Sequence, residues 1–498
     1  MMKKFIIIII IISVNSFGQT IDKQDSVYLP LSEIDNLVEL RQELDEAFND
    51  LNFANAIWGV SIQSLQNGET LYKLNQDKLF LPASLMKIFT SSTALLLLGS
   101  DYNYTTEFYS DGKVVDGILD GSLYIVGSGD PSIYANMKNQ RNIFSEWTDS
   151  LKQLGITGIR GNLIGDDRHY ETDNRLPGWL AEYENNWFAQ PSGAFCLNNN
   201  SIVINVKPTQ VRHPADHSVF PSNNSYEILN KVITVGDKEK SEIKIIHKPG
   251  SNLVILSGKI SVLDDNKRTF IPVKDPTHFF TNAMYNYLIE NEIEITGHAA
   301  DVEIDDMTEV ESALQFLFKK ESEKLASLVE EINKNSNNFY SEQLLKTLGF
   351  EIYGYGNREN GIRAVKSILD KMGINQENIS IADGSGLSFY NLITPSQITK
   401  LLAYMYKSDE FESFYNSLSL AGFSGTLAQR MNRTDAENNF RGKSGYLKNA
   451  RALAGYIKTA DGEPLVVSLI VNNFLVPSQL ANYIQDKVCN SLANFTRN

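Results

Sequence analysis

The spacing of hydrophobic and polar positions divides the chain into helical stretches and a strand-rich middle. Apolar residues recur at helical intervals over residues 37–51 and again in several stretches after residue 320, and this spacing predicts amphipathic helices. Between about residues 100 and 307, short runs of β-branched and aromatic residues alternate with Gly, Asn, Asp and Pro, which is typical of many short strands. The clearest helices are predicted at 37–51, 339–348, 360–372, 398–406 and 477–492, and the clearest strands of the middle region at 122–126, 202–206, 243–246 and 253–256.

Further strand-like runs lie near both ends of the chain, at residues 58–62, 70–74, 452–458 and 464–471. The first two are separated by a segment that contains Asn67-Gly68, a strong signal for a hairpin turn. Strands at both ends with helices between them predict one discontinuous α/β domain, formed by residues 36–99 and 308–498. Residues 100–307 would then be a β-rich insertion, which we expect to contain two subdomains.

The N terminus has the pattern of an export signal. Lys3 and Lys4 precede an apolar run at residues 5–14, and small residues, Ser16 and Gly18, occupy the −3 and −1 positions of a cleavage site. The run is shorter than the roughly 20 apolar residues that span a bilayer. We therefore predict a signal peptide at 1–18, an exported protein, and at most peripheral association with a membrane.

Composition limits the classes of partner. The 498-residue chain has a formal net charge of −15, which argues against nucleic acid because phosphate-binding sites need clustered Lys and Arg. Cys196 and Cys489 are expected to be separate buried thiols. His213 and His217 have the spacing of a helical zinc site, but Pro214 lies between them, so no metal and no cofactor are predicted.

The first stretch with chemical potential is Ser84-Leu85-Met86-Lys87, which precedes an apolar run at residues 88–98. On a helix, residues three apart share one face, so the Lys87 amine can reach the Ser84 hydroxyl. A serine becomes a good nucleophile only when a base takes its proton. A desolvated lysine can be that base because burial lowers its pKa.

A second stretch, Asn335-Ser336-Asn337-Asn338, lies between two predicted helices. Ser and Asn are common in helix caps, so the segment alone is explained by a polar interhelical loop. If it faces a cleft, Ser336 could relay a proton between Lys87 and a leaving group. The Asn338 amide could then bind a peptide group of the substrate.

A third stretch, Lys443-Ser444-Gly445, opens a predicted strand at residues 443–447. Lys443 and Ser444 could bind a substrate carboxylate, and the missing side chain of Gly445 would allow a ligand backbone to approach. The backbone N–H groups of Tyr446 and Ser84 could form an oxyanion hole. The Gly-rich segment at 383–388 is interpreted as a structural turn.

Taken together, the order S-x-x-K, S-x-N, K-[ST]-G has a known mechanism, and the chain resembles the low-molecular-mass class C penicillin-binding proteins, the D-alanyl-D-alanine carboxypeptidases/endopeptidases. Further resemblance lies at residues 82–87, 126–132, 177–179, 333–338, 383–388, 425–427 and 453–456. The resemblance implies a penicillin-binding/serine β-lactamase-like transpeptidase domain, with an antiparallel sheet flanked by helices and a large β-rich insertion.

The resemblance also implies a periplasmic hydrolase that cuts D-Ala-D-Ala ends or cross-links of peptidoglycan and is acylated by β-lactams. By resemblance, Ser84 is the nucleophile, Lys87 the base, Ser336 the proton relay, and Asp166 a contact for the amino end of the stem peptide. Phe389 replaces an arginine that usually follows the 383–388 segment, so recognition of a diaminopimelate carboxylate is not expected from this position.

Two other functions fit parts of this pattern. A serine β-lactamase could use the same scaffold, but it would need a residue that activates water against the acyl-enzyme, and no glutamate is obvious for that task. A catalytically silent module that binds peptidoglycan is a second alternative. The presence of Ser84, Lys87, Ser336, Asn338 and Lys443 favours an active enzyme over this module.

Overall fold

The computed structural model describes residues 36–135, 142–173, 175–183, 186–221, 226–247, 251, 253–302 and 314–497. The predicted signal peptide at 1–18 lies outside the described residues. The helices are α1 (Asn36–Phe48), α2 (Met86–Leu98), α3 (Ile143–Gln153), α4 (Pro276–Glu290), α5 (Leu325–Lys334), α6 (Asn338–Tyr353), α7 (Arg358–Lys371), α8 (Pro395–Tyr406), α9 (Phe411–Ser417) and α10 (Ser478–Asn494).

The strands fall into groups between these helices. They are β1 (Ile57–Ser64), β2 (Thr70–Leu74), β3 (Thr105–Ser110), β4 (Lys113–Val115), β5 (Ile118–Asp120), β6 (Leu123–Val126), β7 (Gly158–Ile159), β8 (Leu163–Asp166), β9 (Ser201–Lys207), β10 (Asp216–Phe220), β11 (Glu227–Val235), β12 (Glu242–His247), β13 (Leu253–Ser261), β14 (Lys267–Pro272), β15 (Glu294–Ile295), β16 (Ala299–Asp301), β17 (Gln315–Glu321), β18 (Ser419–Leu420), β19 (Arg441–Leu447), β20 (Ala450–Lys458) and β21 (Pro464–Asn472). The helices and strands predicted from sequence spacing all overlap these elements, with boundaries that differ by a few residues.

One antiparallel sheet joins the two ends of the chain. Its strand order is β18-β19-β20-β21-β1-β2, and β1 pairs with β21 from Ile57 opposite Asn472 to Ser64 opposite Leu465. Hydrophobic cores cover both faces of the sheet. Successive side chains of a strand point to opposite faces, so neighbouring residues of one strand belong to different cores. In β20, for example, Ala452 contributes to the core that contains α2 and α5–α8, whereas Leu453 contributes to the core under α1 and α10.

The middle of the chain forms smaller sheets around a core of its own. The largest has the order β16-β8-β6-β3-β17, and three sheets of three or four strands accompany it. These strands share one hydrophobic cluster with α3 and α4. Because β17 pairs with β3, strand pairing extends this region to Glu321 instead of residue 307. The division into domains, including the two expected subdomains, otherwise stays a prediction.

Helix α6 joins this middle region to the core that contains α2 and α5–α8. Its buried Lys346 donates to the carbonyl oxygens of Glu171 and Ser192 at 2.6 and 2.9 Å, and pairs with the Asp173 carboxylate at 3.1 Å. On the same helix, the side chain of Gln343 accepts a hydrogen bond from the N–H of Gly193 at 3.0 Å. The helix therefore fixes Glu171, Asp173, Ser192 and Gly193 against the central core.

The two cysteines lie in different hydrophobic cores. Cys196 lies in the core of α2 and α5–α8, and Cys489 lies in the core under α10. Both are buried and free, which confirms the prediction of separate buried thiols. Within the described part of the chain, no helix combines the length and apolar character needed to cross a bilayer.

Candidate active site

Ser84 lies in a short 3-10 helix, Ala83–Leu85, that leads directly into α2. In a 3-10 turn, side chains three residues apart are nearly eclipsed, which brings Lys87 under Ser84. Ala83 adopts a left-handed conformation with φ of 49°, which is unusual for a residue with a Cβ atom. The nucleophile therefore stands on a tight turn and is half-buried, whereas Lys87 is fully buried.

The Lys87 amine has three oxygen neighbours. Nζ lies 2.6 Å from Asn338 Oδ1, 2.6 Å from the Ser385 carbonyl oxygen and 3.3 Å from Ser84 Oγ. The first two oxygens can only accept hydrogen bonds. A neutral amine has two N–H bonds and one lone pair, so donation to these two acceptors leaves the lone pair directed at the Ser84 hydroxyl. Burial lowers the pKa of Lys87 to about 7, against the opposing charges of Glu342 and Asp383.

The N terminus of α6 places Ser336 and Asn338 on one side of the cleft. Asn337 is the N-cap, and its side chain accepts from the N–H of Tyr340. Ser336, with φ of 58°, turns the chain into the helix. Both ends of the Asn338 amide are engaged by the protein, because Oδ1 contacts Lys87 and Nδ2 donates to the Phe188 carbonyl at 2.9 Å. In this arrangement the Asn338 amide orients Lys87. A contact between this amide and a peptide group of the substrate stays a prediction.

Strand β19 forms the opposite side of the cleft. The buried Lys443 donates to Ser336 Oγ at 2.8 Å and to its neighbouring Ser444 carbonyl at 3.0 Å. Ser444 Oγ donates to Thr426 Oγ1 at 2.8 Å, and the Tyr446 side chain is exposed. Burial lowers the pKa of Lys443 well below its usual value, and the charge of Lys87 lowers this pKa further.

Gly445 has a close neighbour within the protein itself, and the ligand contact expected from its sequence position stays a prediction. A Cβ atom added there would lie 2.9 Å from the Pro82 carbonyl oxygen and 3.1 Å from Ala83 Cβ. The missing side chain thus allows the nucleophile turn of the protein itself to pack closely against β19. This contact sets the position of Ser84 relative to Lys443.

The 383–388 turn closes the site behind Lys87. Asp383 Oδ1 accepts from Gly386 N at 2.8 Å, and Asp383 Oδ2 accepts from Ser388 N and from the Trp179 indole N–H. Gly386 has φ of 83°, and a Cβ atom there would lie 1.9 Å from the Ala83 carbonyl oxygen, so only glycine fits. The turn, interpreted from the sequence as purely structural, supplies one of the acceptors of the Lys87 amine.

Asp166 is not brought into this group by any hydrogen bond among the described residues. It lies at the end of β8, where both carboxylate oxygens accept from the Arg168 guanidinium at 2.9 and 2.7 Å. Those hydrogen bonds lower the pKa of Asp166, against the desolvation that raises it. Phe389 is half-buried, and its N–H donates to the carbonyl oxygen of Gly178.

The structure therefore brings together Ser84, Lys87, Ser336, Asn338, Lys443 and Ser444 from three separate parts of the chain. A serine beside a buried lysine, facing a second lysine and a hydroxyl, offers the groups that serine acyl transfer with a lysine base requires. In the described ranges, His, Cys, Asp and Glu form no group of three or more that could hold a metal ion.

Comparison with known proteins places the chain in a family. The model of the D-Ala-D-Ala carboxypeptidase 3 (S13) family matches residues 40–495, and the chain belongs to this family. A D-alanyl-D-alanine carboxypeptidase of Actinomadura is 28% identical over 479 residues, which cover 92% of this chain and 85% of that protein. The chain is thus a serine-type D-Ala-D-Ala carboxypeptidase, as the three motifs predicted.

Solved structures show the same fold. The crystal structure of penicillin-binding protein 4 from Haemophilus influenzae matches with a TM-score of 0.78 at 24% identity, and the match covers 92% of this chain and all of that one. A structure of the same protein complexed with a β-lactam matches with a TM-score of 0.72 at 22% identity and the same coverage. The predicted penicillin-binding fold is confirmed.

Proposed function

We propose that this chain acts in the periplasm, where it hydrolyses the D-Ala-D-Ala ends, and the related cross-links, of peptidoglycan stem peptides through an acyl-enzyme on Ser84. The observation that carries the proposal is the environment of the Lys87 amine. Its two short contacts are with obligate acceptors, and its third neighbour is the Ser84 hydroxyl. This arrangement gives the lysine a lone pair for one proton, that of the nucleophile.

The reaction begins when Lys87 takes the proton of Ser84 and Oγ attacks the carbonyl carbon of the penultimate D-Ala. The resulting oxyanion accepts hydrogen bonds from the backbone N–H groups of Ser84 and Tyr446, a type of stabilisation worth about 10²–10³ in rate for each donor. Ser336 passes a proton to the leaving amine, and the C–N bond breaks. Water then attacks the ester on Ser84 and releases the shortened stem peptide.

Lys443 and Ser444 bind the carboxylate at the end of the substrate. Burial and the charge of Lys87 disfavour a proton on Lys443 by lowering its pKa. A substrate carboxylate close to Nζ reverses this effect because an opposite charge favours the ionised amine. Substrate binding therefore supplies the charge balance that lets Lys443 carry a proton while Lys87 remains neutral.

Contacts with the rest of the stem are proposed at the edge of the site. A contact between Asp166 and the amino end of the stem stays a prediction, and the stem would have to compete with Arg168 for the carboxylate. Phe389 offers no charge to a diaminopimelate carboxylate. β-Lactams, which carry a carboxylate next to a strained amide, are expected to acylate Ser84 in the same way, as the β-lactam complex of the Haemophilus protein suggests.

Replacement of the nucleophile tests the proposal. For Ser84→Ala we expect release of D-alanine from purified muropeptides to fall by on the order of 10⁴-fold or more, and penicillin to leave no adduct detectable by mass spectrometry. Ser92→Ala, which removes a buried hydroxyl that donates to Phe89 O on the same helix, is the matched control and should keep both activities.

The same measurements separate the alternatives. A persistent penicilloyl adduct on Ser84 supports the peptidase, whereas rapid turnover to penicilloate without an adduct would indicate a β-lactamase. A wild-type chain that binds peptidoglycan but releases no D-alanine and forms no adduct would instead be a silent binding module. Digestion of cross-linked and uncross-linked muropeptides divides endopeptidase from carboxypeptidase action.

A further inference from the structure

Behind Lys87 lies a pair of buried carboxylates that the mechanism above does not use. Glu342 is one helical turn after Asn338 on α6 and is 3% exposed, and Asp383 is fully buried in the 383–388 turn. Both carboxylates accept hydrogen bonds from the backbone of that turn. Buried carboxylates are costly unless they are paired or fully hydrogen-bonded, so their position directly behind a catalytic amine calls for an explanation.

Each carboxylate holds a part of the backbone that contacts Lys87. Glu342 Oε2 and Oε1 accept from the N–H groups of Gly384 and Ser385 at 3.0 and 2.7 Å. Asp383 Oδ1 accepts from Gly386 N at 2.8 Å, the N–H of the peptide group that carries the Ser385 carbonyl. The N–H groups of three successive peptide groups are therefore held by carboxylates, and the carbonyl oxygen of Ser385, on the opposite side of the third group, points toward Lys87.

We propose that Glu342, acting with Asp383, is a positioning residue of the acylation step, because it holds the Ser385 carbonyl where that oxygen takes one N–H of the Lys87 amine and leaves the lone pair aimed at Ser84. Without this acceptor the amine could rotate about its terminal bond, and the lone pair would lose its direction. This inference rests on the proposed function, since it needs Lys87 to act as the base.

Electrostatics give the same pair a second effect on the reaction. Burial, together with the charge of Asp383, raises the pKa of Glu342, whereas the N–H donors of Gly384 and Ser385 favour its carboxylate form. An ionised Glu342 in turn raises the pKa of Lys87. The charged and titratable groups around this cluster are Lys87 on α2, Lys443 on β19, Asp383 in the turn and, one turn further along α6, Lys346, on which Glu342 also acts.

The deciding experiment is the pH profile of penicillin acylation for Glu342→Gln. Glutamine retains the shape but offers only one acceptor oxygen to two N–H donors, so we expect the plateau rate to fall about 10-fold or more. Removal of the negative charge should also move the acid limb of the profile to lower pH, by about 0.5 unit or more, because Lys87 then loses its proton more readily. A merely structural role would not move this limb.

Two further variants keep the inference testable. Thr347→Val, which removes a buried hydroxyl of the same helix as Glu342 that contacts the Tyr104 hydroxyl, controls for general loss of stability and should leave the acid limb unchanged. Ser341→Ala removes the donor to the Gly384 carbonyl and disturbs the same turn without a change of charge. It should lower the plateau and leave the limb in place, even if Glu342→Gln does not fold.

The inference would be overturned if Glu342→Gln had the wild-type plateau rate and the wild-type position of the acid limb. If Glu342→Gln does not fold, a wild-type plateau rate in Ser341→Ala would overturn it instead. The inference would also be overturned if Thr347→Val moved the acid limb as far as Glu342→Gln does. These outcomes differ from failure of the proposed function, in which Ser84→Ala would still be acylated. If Ser84→Ala is inactive and Glu342→Gln is not impaired, only the positioning role is refuted.

Discussion

Replacement of Lys346 by methionine tests how the middle region is held against α6. The lysine is 2% exposed, and its amine serves the carbonyl oxygens of Glu171 and Ser192 and the carboxylate of Asp173. Methionine preserves most of the volume, so the change removes the charge and three donors without leaving a large cavity. All three acceptors then lose their partner at once.

The expected loss follows from these contacts. Removal of one member of a buried ion pair costs about 3–5 kcal/mol of unfolding free energy. A carbonyl group left without a donor costs about 1–3 kcal/mol, and we count this cost within the first range rather than adding it. The Asp173 side chain is 20% exposed, so water can solvate it in part, and we expect a value near the lower end, about 3 kcal/mol. With a urea dependence of about 1–3 kcal/mol per molar, the unfolding midpoint should fall by ~1 M or more.

Urea unfolding followed by tryptophan fluorescence measures this change, since the chain has four tryptophans. The matched control is Lys324→Met, which removes an exposed lysine paired with Asp101 at 2.6 Å. An exposed pair contributes about 0–1 kcal/mol, so this variant should stay close to the wild type. Equal midpoints for the two methionine variants would refute the reasoning that Lys346 docks the middle region.

Two further predictions concern the nucleophile. The pKa of Lys87 is lowered to about 7, and protonation fills the lone pair that accepts the Ser84 proton. The rate of penicillin acylation should therefore be constant above about pH 8 and fall as the pH drops below 7. A rate that stays constant down to pH 5 would contradict this assignment of the base. Gly445→Ala should slow acylation about 10-fold or more, because the new Cβ atom would press on Pro82 and Ala83, whereas Gly236→Ala, with nothing within 4 Å of the added atom, should acylate at the wild-type rate.

Much of the site could be predicted from the sequence because its side chains belong to three short motifs. Ser84 and Lys87 are linked by helical spacing, and the flanking patterns place Asn338 at a helix start and Lys443 on a strand. Each of these expectations depends only on local structure. The distances between the motifs depend on the closure of the sheet and on α6, which no local pattern specifies, and so the pairing of Lys443 with Ser336 appears only in the structure.

The parts that the sequence did not predict are backbone contacts. The Ser385 carbonyl is an acceptor for Lys87, but every residue has such a carbonyl, so the sequence holds no signal for it. Gly445 was correctly identified as a place of close approach, and a group that approaches it in the structure is the nucleophile turn. The approach of a ligand backbone to Gly445 stays a prediction. A possible signal was Glu342, a charged residue within the predicted helix 339–348, whose burial would have required a partner.

The pairing of β1 with β21 has a consequence for the order in which the molecule assembles. Ser64 and Leu465 are neighbours in this pair, although about 400 residues separate them, and contacts at such separation form late because a long loop must close first. The middle region builds its sheets from segments much closer in sequence, between β3 and β17. A chain that emerges from its N terminus can therefore complete that region while the central sheet still lacks its middle strands. The nucleophile acquires Lys443 only after residues 1–442 have been made, so the enzyme remains inert until late in its synthesis.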